Sequence, residues 1–249
     1  MTKFYSTALF KNIYKKPSTK SEITSQILFG EKFKIILKKK NWIKIKSISD
    51  NYKGFIKNNK LLEKLNLTHK CFSLKARIYK YKKTKRFIGT KLFLPFNSRI
   101  SLNNTKNNFV EFQKNKWVKK KDLKPINHKE TNFIKIFKKF NKIKYVWGGR
   151  TYKGIDCSAL IQLYYLYNNK YFPRDTIDQI RIEKGKKISK NFKKGNIIYW
   201  KGHVAVCINS KKLIHAYGPM KKVIIMNTVK TIERIYKTAK LEVKKVTNI

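Results

Sequence analysis

The sequence predicts an α+β protein in which two small all-β barrels precede a mixed domain of helices and antiparallel strands. From Thr7 to about Leu65, short apolar runs alternate with Lys, Asn and Ser breaks. Farther along, an apolar segment begins at Cys157, and two strand-like runs carry His203 and His215. The short runs between Thr7 and Leu65 predict the strands of small barrels. The longer apolar segment at Cys157 predicts a helix.

The first barrel is expected over residues 1–65. Within it, the order Gly-Glu, Trp-x-Lys-Ile and Tyr-x-Gly-Phe-Ile resembles bacterial SH3-type (SH3b) modules. The strand-like runs are Ala8–Phe10, Glu22–Glu31, Phe33–Leu37, Trp42–Lys46 and Tyr52–Ile56.

A weaker copy of this pattern predicts a second, divergent SH3b-like barrel over residues 66–127. Its runs are Ala76–Tyr79, Phe87–Thr90, Leu92–Phe96, Phe109–Phe112 and Trp117–Lys119. The expected linkers are Asn66–His69 and Lys124–Lys129. A third domain then covers residues 128–249, with its first helix over Thr131–Phe140.

Cys157 stands where a glycine-containing turn passes into the apolar run of the predicted helix. Asp156 is suited to cap the helix N-terminus. A cysteine in the first helical turn lies near the positive end of the peptide dipoles, which favours the thiolate over the thiol. The position therefore predicts a nucleophile of lowered pKa.

His203 and His215 occupy successive strand-like segments. The runs Ile197–Trp200 and Lys201–Ile208 predict a pair of strands, and Leu213–Tyr217 predicts a third. Neighbouring antiparallel strands bring the two imidazoles side by side, as a base and its orienting partner.

A single cysteine in an apolar segment is more often inert packing, and a single strand histidine is more often structural. Cys71 and Cys207 are interpreted in that way, since neither has a helix start and a partner base. For Cys157, His203 and His215 the combination favours a thiol nucleophile.

Six ordered blocks resemble the NlpC/P60 peptidases, which are papain-like cysteine enzymes that cut peptidoglycan stem peptides. The resemblance implies that Cys157 is the nucleophile, that His203 is the general base and later acid, and that His215 fixes the tautomer of His203. It implies catalysis without a metal or cofactor. The blocks are Tyr145–Arg150, Gly154–Ser158, Phe172–Thr176, Lys194–Trp200, Gly202–Ala205 and Leu213–Ala216.

The same resemblance assigns further residues. Tyr145 matches a tyrosine that lies near the nucleophile and assists the oxyanion, and the alternative is an ordinary aromatic at a strand start. Asp175 matches the carboxylate that binds the amine of an N-terminal L-alanine, a suitable partner for an ammonium group. Asp156, Ser158 and Thr176 match the lining of that pocket, and each is equally suited to a cap or turn role.

Two barrels before the catalytic domain resemble the γ-D-glutamyl-L-diamino-acid endopeptidases. In those enzymes the first SH3b module closes one end of the cleft and restricts entry to short peptides with free L-alanine. The resemblance implies that Tyr52, and more weakly Glu31, lies near the substrate amine and helps to hold it. A turn aromatic and a hairpin glutamate are the alternatives. The implied substrates are peptidoglycan-derived peptides, cut at diaminopimelate or lysine during cell-wall recycling.

Two positions depart from the family pattern. Ala159 replaces the usual glycine after Asp-Cys-Ser, and Asn196 stands where Gly-Asp is usual before the strand. Neither change removes a catalytic group.

The formal net charge is +48, and seven of the 61 basic residues are arginine. Lysine is spread along every segment instead of clustering with arginine and stacking aromatics, which argues against a specific nucleic-acid surface. A coding bias toward adenine-rich codons is favoured, and a selected attraction to an anionic partner is the alternative.

Neither a signal peptide nor a membrane span is visible in the sequence, and three scattered cysteines fit a reducing compartment, so a cytoplasmic location is expected. Two rival functions stay open. One is an exported hydrolase of intact peptidoglycan with wall-binding barrels. The other is a non-catalytic polycationic binding protein on the same scaffold.

Overall fold

The computed structural model describes residues 2–58, 61–182 and 191–249. It confirms the predicted α+β class, with all-β sheets first and a mixed domain after them. Two compact units are present, Met1–Lys129 and Glu130–Ile249. The expected three-domain division with boundaries after residues 65 and 127 stays a prediction.

The first six strands of the N-terminal unit form one sheet in the order β1-β4-β5-β6-β2-β3. Along β5 buried and half-buried residues alternate, as expected for a strand with one face on a core. Ile43 and Ile45 of β5 lie in that core with Ile56 of β6. The strands are β1 Lys3–Tyr5, β2 Phe10–Tyr14, β3 Ile23–Leu28, β4 Lys32–Lys39, β5 Trp42–Ser47 and β6 Lys53–Lys57.

The next eight strands form a three-stranded sheet, β10-β7-β14, and a five-stranded sheet, β11-β12-β13-β8-β9. A 3₁₀ turn over Lys120–Asp122 joins β13 to β14. The strands are β7 His69–Cys71, β8 Lys75–Tyr81, β9 Phe87–Pro95, β10 Arg99–Ile100, β11 Asn104–Lys106, β12 Phe109–Gln113, β13 Lys116–Lys119 and β14 Leu123–Pro125.

The turn between β3 and β4 joins these two parts of the N-terminal unit. Phe29 is buried with core residues of the second part, and its carbonyl accepts a hydrogen bond from the Arg99 N–H at 2.9 Å. Gly30 has a φ of +77°, and a Cβ there would lie 2.0 Å from the Arg99 carbonyl oxygen. A glycine is therefore required at this turn by both conformation and space.

The C-terminal unit is built on an antiparallel sheet in the order β20-β19-β18-β17-β21. The helix α2 packs against β18 and β19, and α4 packs against β20. The elements are α1 Phe133–Lys139, β15 Arg150–Thr151, β16 Gly154–Ile155, α2 Cys157–Tyr167, α3 Thr176–Ile182, β17 Asn196–Trp200, β18 His203–Cys207, β19 Lys212–Tyr217, β20 Lys222–Asn227, α4 Thr228–Ala239 and β21 Lys245–Asn248, with a 3₁₀ turn over Gly218–Met220.

The helices α2 and α4 differ in how they are buried. Every residue of α2 except Tyr164 is buried, so the helix is enclosed around its circumference and its start is held by protein on all sides. The helix α4 buries Thr228, Thr231 and Ile235, and most of its remaining residues are exposed. Among the described residues, no helix is both long enough and apolar enough to cross a membrane.

Candidate active site

Cys157 is the first residue of α2, as the sequence predicts. Asp156 precedes it in an extended conformation, and its Oδ1 accepts the Ala159 N–H at 2.9 Å, which caps the helix. The thiol is buried, with 4% of the residue exposed. The cap therefore fixes the backbone that carries the sulfur.

The Asp156 carboxylate also accepts hydrogen bonds from three other groups. Arg174 forms a two-pronged ion pair with it, Nη2 to Oδ2 at 2.5 Å and Nη1 to Oδ1 at 3.0 Å. The Gly148 N–H lies 2.9 Å from Oδ2, and the Ser158 hydroxyl donates to Oδ1 at 3.2 Å. Both side chains of the ion pair are buried, at 1% and 6% exposure. The carboxylate thus joins the turn before the helix to the helix itself.

Arg174 and Gln179 are site residues to which the sequence analysis assigned no role. Arg174 Nη1 donates to the Ser158 hydroxyl at 2.8 Å. Gln179 Nε2 donates to the carbonyls of Ser158 and Pro173, each at 3.0 Å. The pairing of Arg174 with Asp156 could not be read from sequence, because the two residues are 18 positions apart and meet only through the fold.

The two histidines lie on the adjacent antiparallel strands β18 and β19. His203 Nε2 and His215 Nδ1 are 2.9 Å apart, within hydrogen-bonding distance. His215 is fully buried and stacks on Tyr217, with ring centroids 4.6 Å apart. The structure therefore brings the two predicted imidazoles together.

The Cys157 sulfur lies beside the start of β18. Its thiol is 4.0 Å from the Gly202 carbonyl oxygen, and the Val204 backbone N–H hydrogen-bonds to the sulfur. These two backbone groups flank His203 in the chain. The sulfur at the N-terminus of α2 thus lies beside the backbone on both sides of His203, at the start of β18.

The expected lowering of the thiol pKa is wrong. Burial, followed by the negative charge of Asp156, raises the pKa of Cys157 to about 12. The Val204 and Ser158 N–H groups and the Arg174 charge act in the opposite direction but do not outweigh these two causes. The helix-start argument failed because it left out the desolvation of a fully enclosed thiolate and the cap carboxylate beside it.

The pKa values of the two histidines are lowered, whereas that of the thiol is raised. Burial lowers the pKa of the half-buried His203 to about 4. Burial and the nearby His203 lower the pKa of His215 well below its usual value. At neutral pH the resting site therefore holds a neutral thiol and two neutral imidazoles, without a preformed ion pair.

Tyr145 lies near the nucleophile. Burial, the thiol of Cys157 and the carboxylate of Asp156 raise the pKa of its hydroxyl. Its backbone N–H donates to the Lys221 carbonyl at 2.9 Å, and its ring would be 3.6 Å from a Cβ placed on Gly218. Its role toward an oxyanion stays a prediction.

The other predicted pocket residues lie at the start of α3. The Asp175 carbonyl accepts the N–H groups of Asp178 and Gln179, each at 3.0 Å, and Thr176 is the buried first residue of the helix. These residues follow Arg174 directly in the chain. Substrate contacts of Asp156, Ser158, Asp175 and Thr176 stay predictions.

Glu31 and Tyr52 belong to the N-terminal unit. Glu31 is buried, and its Oε2 accepts the Leu28 N–H at 2.9 Å within the turn after β3. The Tyr52 N–H donates to Asp50 Oδ1 at 3.1 Å, and its hydroxyl donates to the Thr24 carbonyl at 3.5 Å. Their predicted contact with a substrate amine stays a prediction.

The departures from the family pattern fit locally. Ala159 is completely buried in α2. The Asn196 side chain accepts the Lys193 N–H and donates to Asn248 Oδ1, both at 2.6 Å, so it supports the pairing of β17 with β21. Cys71 and Cys207 are buried in strands, and burial raises the pKa of Cys207 to about 11.

Nowhere in residues 2–58, 61–182 and 191–249 do three or more His, Cys, Asp or Glu side chains form a group suited to a metal ion.

Comparison with known proteins finds a family match for each of two parts of the chain. Residues 142–241 match the NlpC/P60 family, and residues 13–61 match the bacterial dipeptidyl-peptidase SH3 domain. A dipeptidyl-peptidase 6 of Lysinibacillus sphaericus is 23% identical over 84% of this chain and 85% of its own length. A γ-D-glutamyl-L-lysine dipeptidyl-peptidase of Bacillus subtilis is 24% identical over 86% of this chain and 79% of its own.

A crystal structure of an NlpC/P60 family protein from Bacillus cereus covers 91% of this chain and 94% of its own, with a TM-score of 0.76 and 18% identity. That similarity extends through both the SH3-like and the catalytic parts and supports the fold. Residues 142–241 therefore form a hydrolase domain of the NlpC/P60 family, preceded by an SH3 domain of the bacterial dipeptidyl-peptidase type.

Proposed function

We propose that this protein is a cysteine peptidase that cleaves the γ-D-glutamyl–diamino-acid amide of peptidoglycan stem peptides with a free N-terminal L-alanine. The observation that carries the proposal is that the Cys157 sulfur lies beside the backbone on both sides of His203, whose ring is within hydrogen-bonding distance of His215. The relatives from L. sphaericus and B. subtilis, which this chain matches over most of their length, are both named dipeptidyl-peptidases.

Acylation begins with attack of the Cys157 sulfur on the amide carbonyl carbon. Because the free thiol has a raised pKa and His203 a lowered one, the proton passes to His203 as the carbon–sulfur bond forms. The carbonyl becomes a tetrahedral oxyanion, for which backbone N–H groups at the start of α2 and the Tyr145 hydroxyl are the proposed donors.

His203 then protonates the leaving amine, the carbon–nitrogen bond breaks, and a thioester to Cys157 remains. In the second half, His203 takes a proton from water as the water oxygen attacks the thioester carbonyl. The carbon–sulfur bond breaks, the thiol regains its proton, and L-Ala-γ-D-Glu leaves as the free acid.

Asp175 is our proposed anchor for the substrate amine. A carboxylate at the start of α3, next to Arg174 in the chain, is a suitable partner for an ammonium group. An Asp175→Asn variant should raise KM for the free-amine peptide, whereas Asp178→Asn, at an exposed position of the same helix, should not.

We also propose that the enzyme acts on released peptides in a reducing compartment, the cytoplasm, during cell-wall recycling. Among the described residues, Cys71, Cys157 and Cys207 are buried thiols that form no disulfide, which suits such a compartment and keeps the nucleophile reduced. Digestion of intact sacculi at a rate comparable to that of free peptides would contradict this role and would favour an exported wall hydrolase.

The deciding experiment is mass-spectrometric digestion of L-Ala-γ-D-Glu-meso-diaminopimelate, its lysine analogue and the N-acetylated forms. Wild type should cleave only the free-amine peptides, and Cys157→Ala should be inactive. Cys207→Ala, which removes another buried thiol, is the matched control and should stay active. Cleavage of both free and acetylated forms would favour a wall hydrolase, and cleavage of none would favour a binding protein.

A further inference from the structure

The second ring nitrogen of His215 faces a thioether. His215 Nε2 lies 3.4 Å from Met226 Sδ, while Nδ1 faces His203 Nε2 at 2.9 Å. Met226 lies on β20, which pairs with β19 along its whole length, so the register of the two strands sets this contact. The row of groups therefore runs from His203 through His215 to Met226.

A thioether carries no proton and can only accept a hydrogen bond, although weakly. The proton of a neutral His215 therefore belongs on Nε2, where Met226 Sδ accepts it. Nδ1 then carries the lone pair and accepts a hydrogen bond, so His203 donates from Nε2. The remaining nitrogen of His203, Nδ1, is left with the lone pair that a general base requires.

The opposite arrangement would disable the base. If His215 were protonated on Nδ1, it would donate to His203 Nε2 and force the His203 proton onto Nδ1. That tautomer has no lone pair at the nitrogen left for the thiol proton, and a wrong tautomer of a catalytic histidine is strongly deleterious. Burial disfavours the doubly protonated form of either ring, so the choice of tautomer matters at neutral pH.

We propose that Met226 is a positioning residue that fixes the tautomers of both histidines and so keeps Nδ1 of His203 available as the base. The inference rests on the proposed peptidase function but goes one residue beyond the His203–His215 pair. Nothing in the sequence distinguishes Met226 from the other apolar residues of its strand.

Met226 can be substituted without opening the core. It is half-buried and lines a cleft of about 690 Å³ along α4, together with Asn227, Lys230 and Arg234. A side chain of similar length can therefore be placed there. Met226→Leu keeps most of the volume and removes the acceptor, whereas Met226→Gln supplies an amide carbonyl as acceptor.

The first readout is ¹⁵N NMR of labelled histidines at neutral pH, which separates protonated from unprotonated ring nitrogens. Wild type should show His215 and His203 each protonated on Nε2. In Met226→Leu, His215 should shift toward the Nδ1-protonated form, and Met226→Gln should restore the wild-type pattern. A wild-type His215 protonated on Nδ1 would overturn the proposal, whether or not the protein cleaves the expected peptide.

The second readout is kinetic. Met226→Leu should lower kcat about tenfold with KM unchanged, because a buried N–H without an acceptor favours the inactive tautomer. Met226→Gln should recover most of that loss. Ile224→Leu is the control, since Ile224 is half-buried on the same strand and lies directly opposite His215 in the register. Full activity of a folded Met226→Leu, or equal losses in all three variants, would reject the proposal.

Discussion

The candidate site has two sides that differ in charge: the helix side, at the start of α2, and the strand side, on β18 to β20. On the helix side, Asp156 and Arg174 form a buried ion pair next to the nucleophile. On the strand side, His203 and His215 are held neutral by burial, and the row ends at the thioether of Met226. Formal charge is thus concentrated on the helix side, beside the thiol, whereas the two histidines of the strand side are neutral.

The difference indicates how the work is divided between the two sides. A buried ion pair contributes little net stability compared with apolar packing, but it demands one geometry, and here that geometry holds the turn at Gly148 to the start of α2. A base needs an available lone pair, and a neutral imidazole has one. The helix side therefore provides position and the strand side provides proton transfer.

The largest expected effect comes from removing the cation of the ion pair on the helix side. Arg174→Met leaves the Asp156 carboxylate buried without its cationic partner and should lower the free energy of unfolding by about 3–5 kcal/mol. Adding Asp156→Asn should recover part of this loss, because the second change removes the unpaired charge. Urea denaturation of both single variants and the double variant measures this coupling.

The control for that cycle is the exposed pair Arg181–Asp178, whose Nη1 and Oδ1 atoms are 3.3 Å apart. Arg181→Met should change stability by less than about 1 kcal/mol, as is usual for exposed ion pairs. Equal losses from Arg174→Met and Arg181→Met would remove the distinction between the buried pair and an ordinary surface contact.

The second prediction concerns the resting state of the thiol. With the Cys157 pKa raised from 9.0 to about 12, the thiolate is about a thousandfold scarcer at neutral pH, and higher nucleophilicity restores part of that loss. Iodoacetamide should therefore react about 30-fold more slowly with native Cys157 than with an unfolded-chain cysteine. Peptide mapping after timed alkylation measures the rate.

His203→Ala should leave that slow rate nearly unchanged, since no imidazolium accompanies the thiol in the resting site. In an enzyme with a preformed thiolate–imidazolium pair, the same substitution would slow alkylation sharply. Rapid alkylation of wild type that depends on His203 would show that the two sides exchange a proton before substrate binds.

Sequence reasoning succeeded where the cause is local and failed where it is not. The start of α2 at Cys157 and the strands of the two histidines follow from apolar periodicity and a cap residue, which lie within a few positions of each other. The sign of the Cys157 pKa shift depends on enclosure by the rest of the unit, so helix position alone gave the wrong direction. Likewise, the partner of Arg174 and the contact of Met226 depend on tertiary structure.

The N-terminal unit gives the same result. The alternating runs predicted small all-β barrels, because one buried face per strand is visible in the pattern. The burial of Phe29 with core residues of the second set of strands could not be predicted, since it requires the β3–β4 turn to meet Arg99. Patterns identify which residues are apolar, whereas packing decides which core each residue enters.

The third prediction concerns how tightly the helix side is packed, and it compares two glycines in the turns before the nucleophile. A Cβ at Gly149 would lie 2.5 Å from the Gly154 carbonyl oxygen and 2.9 Å from the Val146 carbonyl oxygen, both backbone atoms. A Cβ at Gly154 would lie 2.2 Å from Val146 Cγ2 and 2.6 Å from Val146 Cβ, so Val146, which is 41% exposed, would have to shift toward solvent. Gly149→Ala should cost about 2 kcal/mol of stability and Gly154→Ala less. Thermal unfolding of the two variants tests the order, and the reverse order would contradict it.

The smallest expected effect is a change in the free energy of unfolding with pH, which tests whether the histidines of the strand side are neutral. The folded-state pKa of His203 is about 4 and its ordinary value is 6.5, so below pH 6.5 the unfolded chain binds a proton that the folded chain does not. The stability contributed by the neutral imidazole is therefore complete above pH 6.5 and is lost as the pH falls toward 4. His215 acts in the same direction.

Between pH 6.5 and 5 most carboxylates stay ionised, so the loss in this window reports mainly on histidines. For the half-buried His203 we expect about 1 kcal/mol, after a discount for its partial exposure. Urea denaturation at pH 7.0 and 5.0 should show this loss in wild type and a smaller one in His203→Asn/His215→Asn. Because His69 is present in both proteins, its own lowered pKa cancels from the difference. Equal pH dependence in the two proteins would mean that the imidazoles are charged in the folded state, and the contrast between a charged helix side and a neutral strand side would no longer hold.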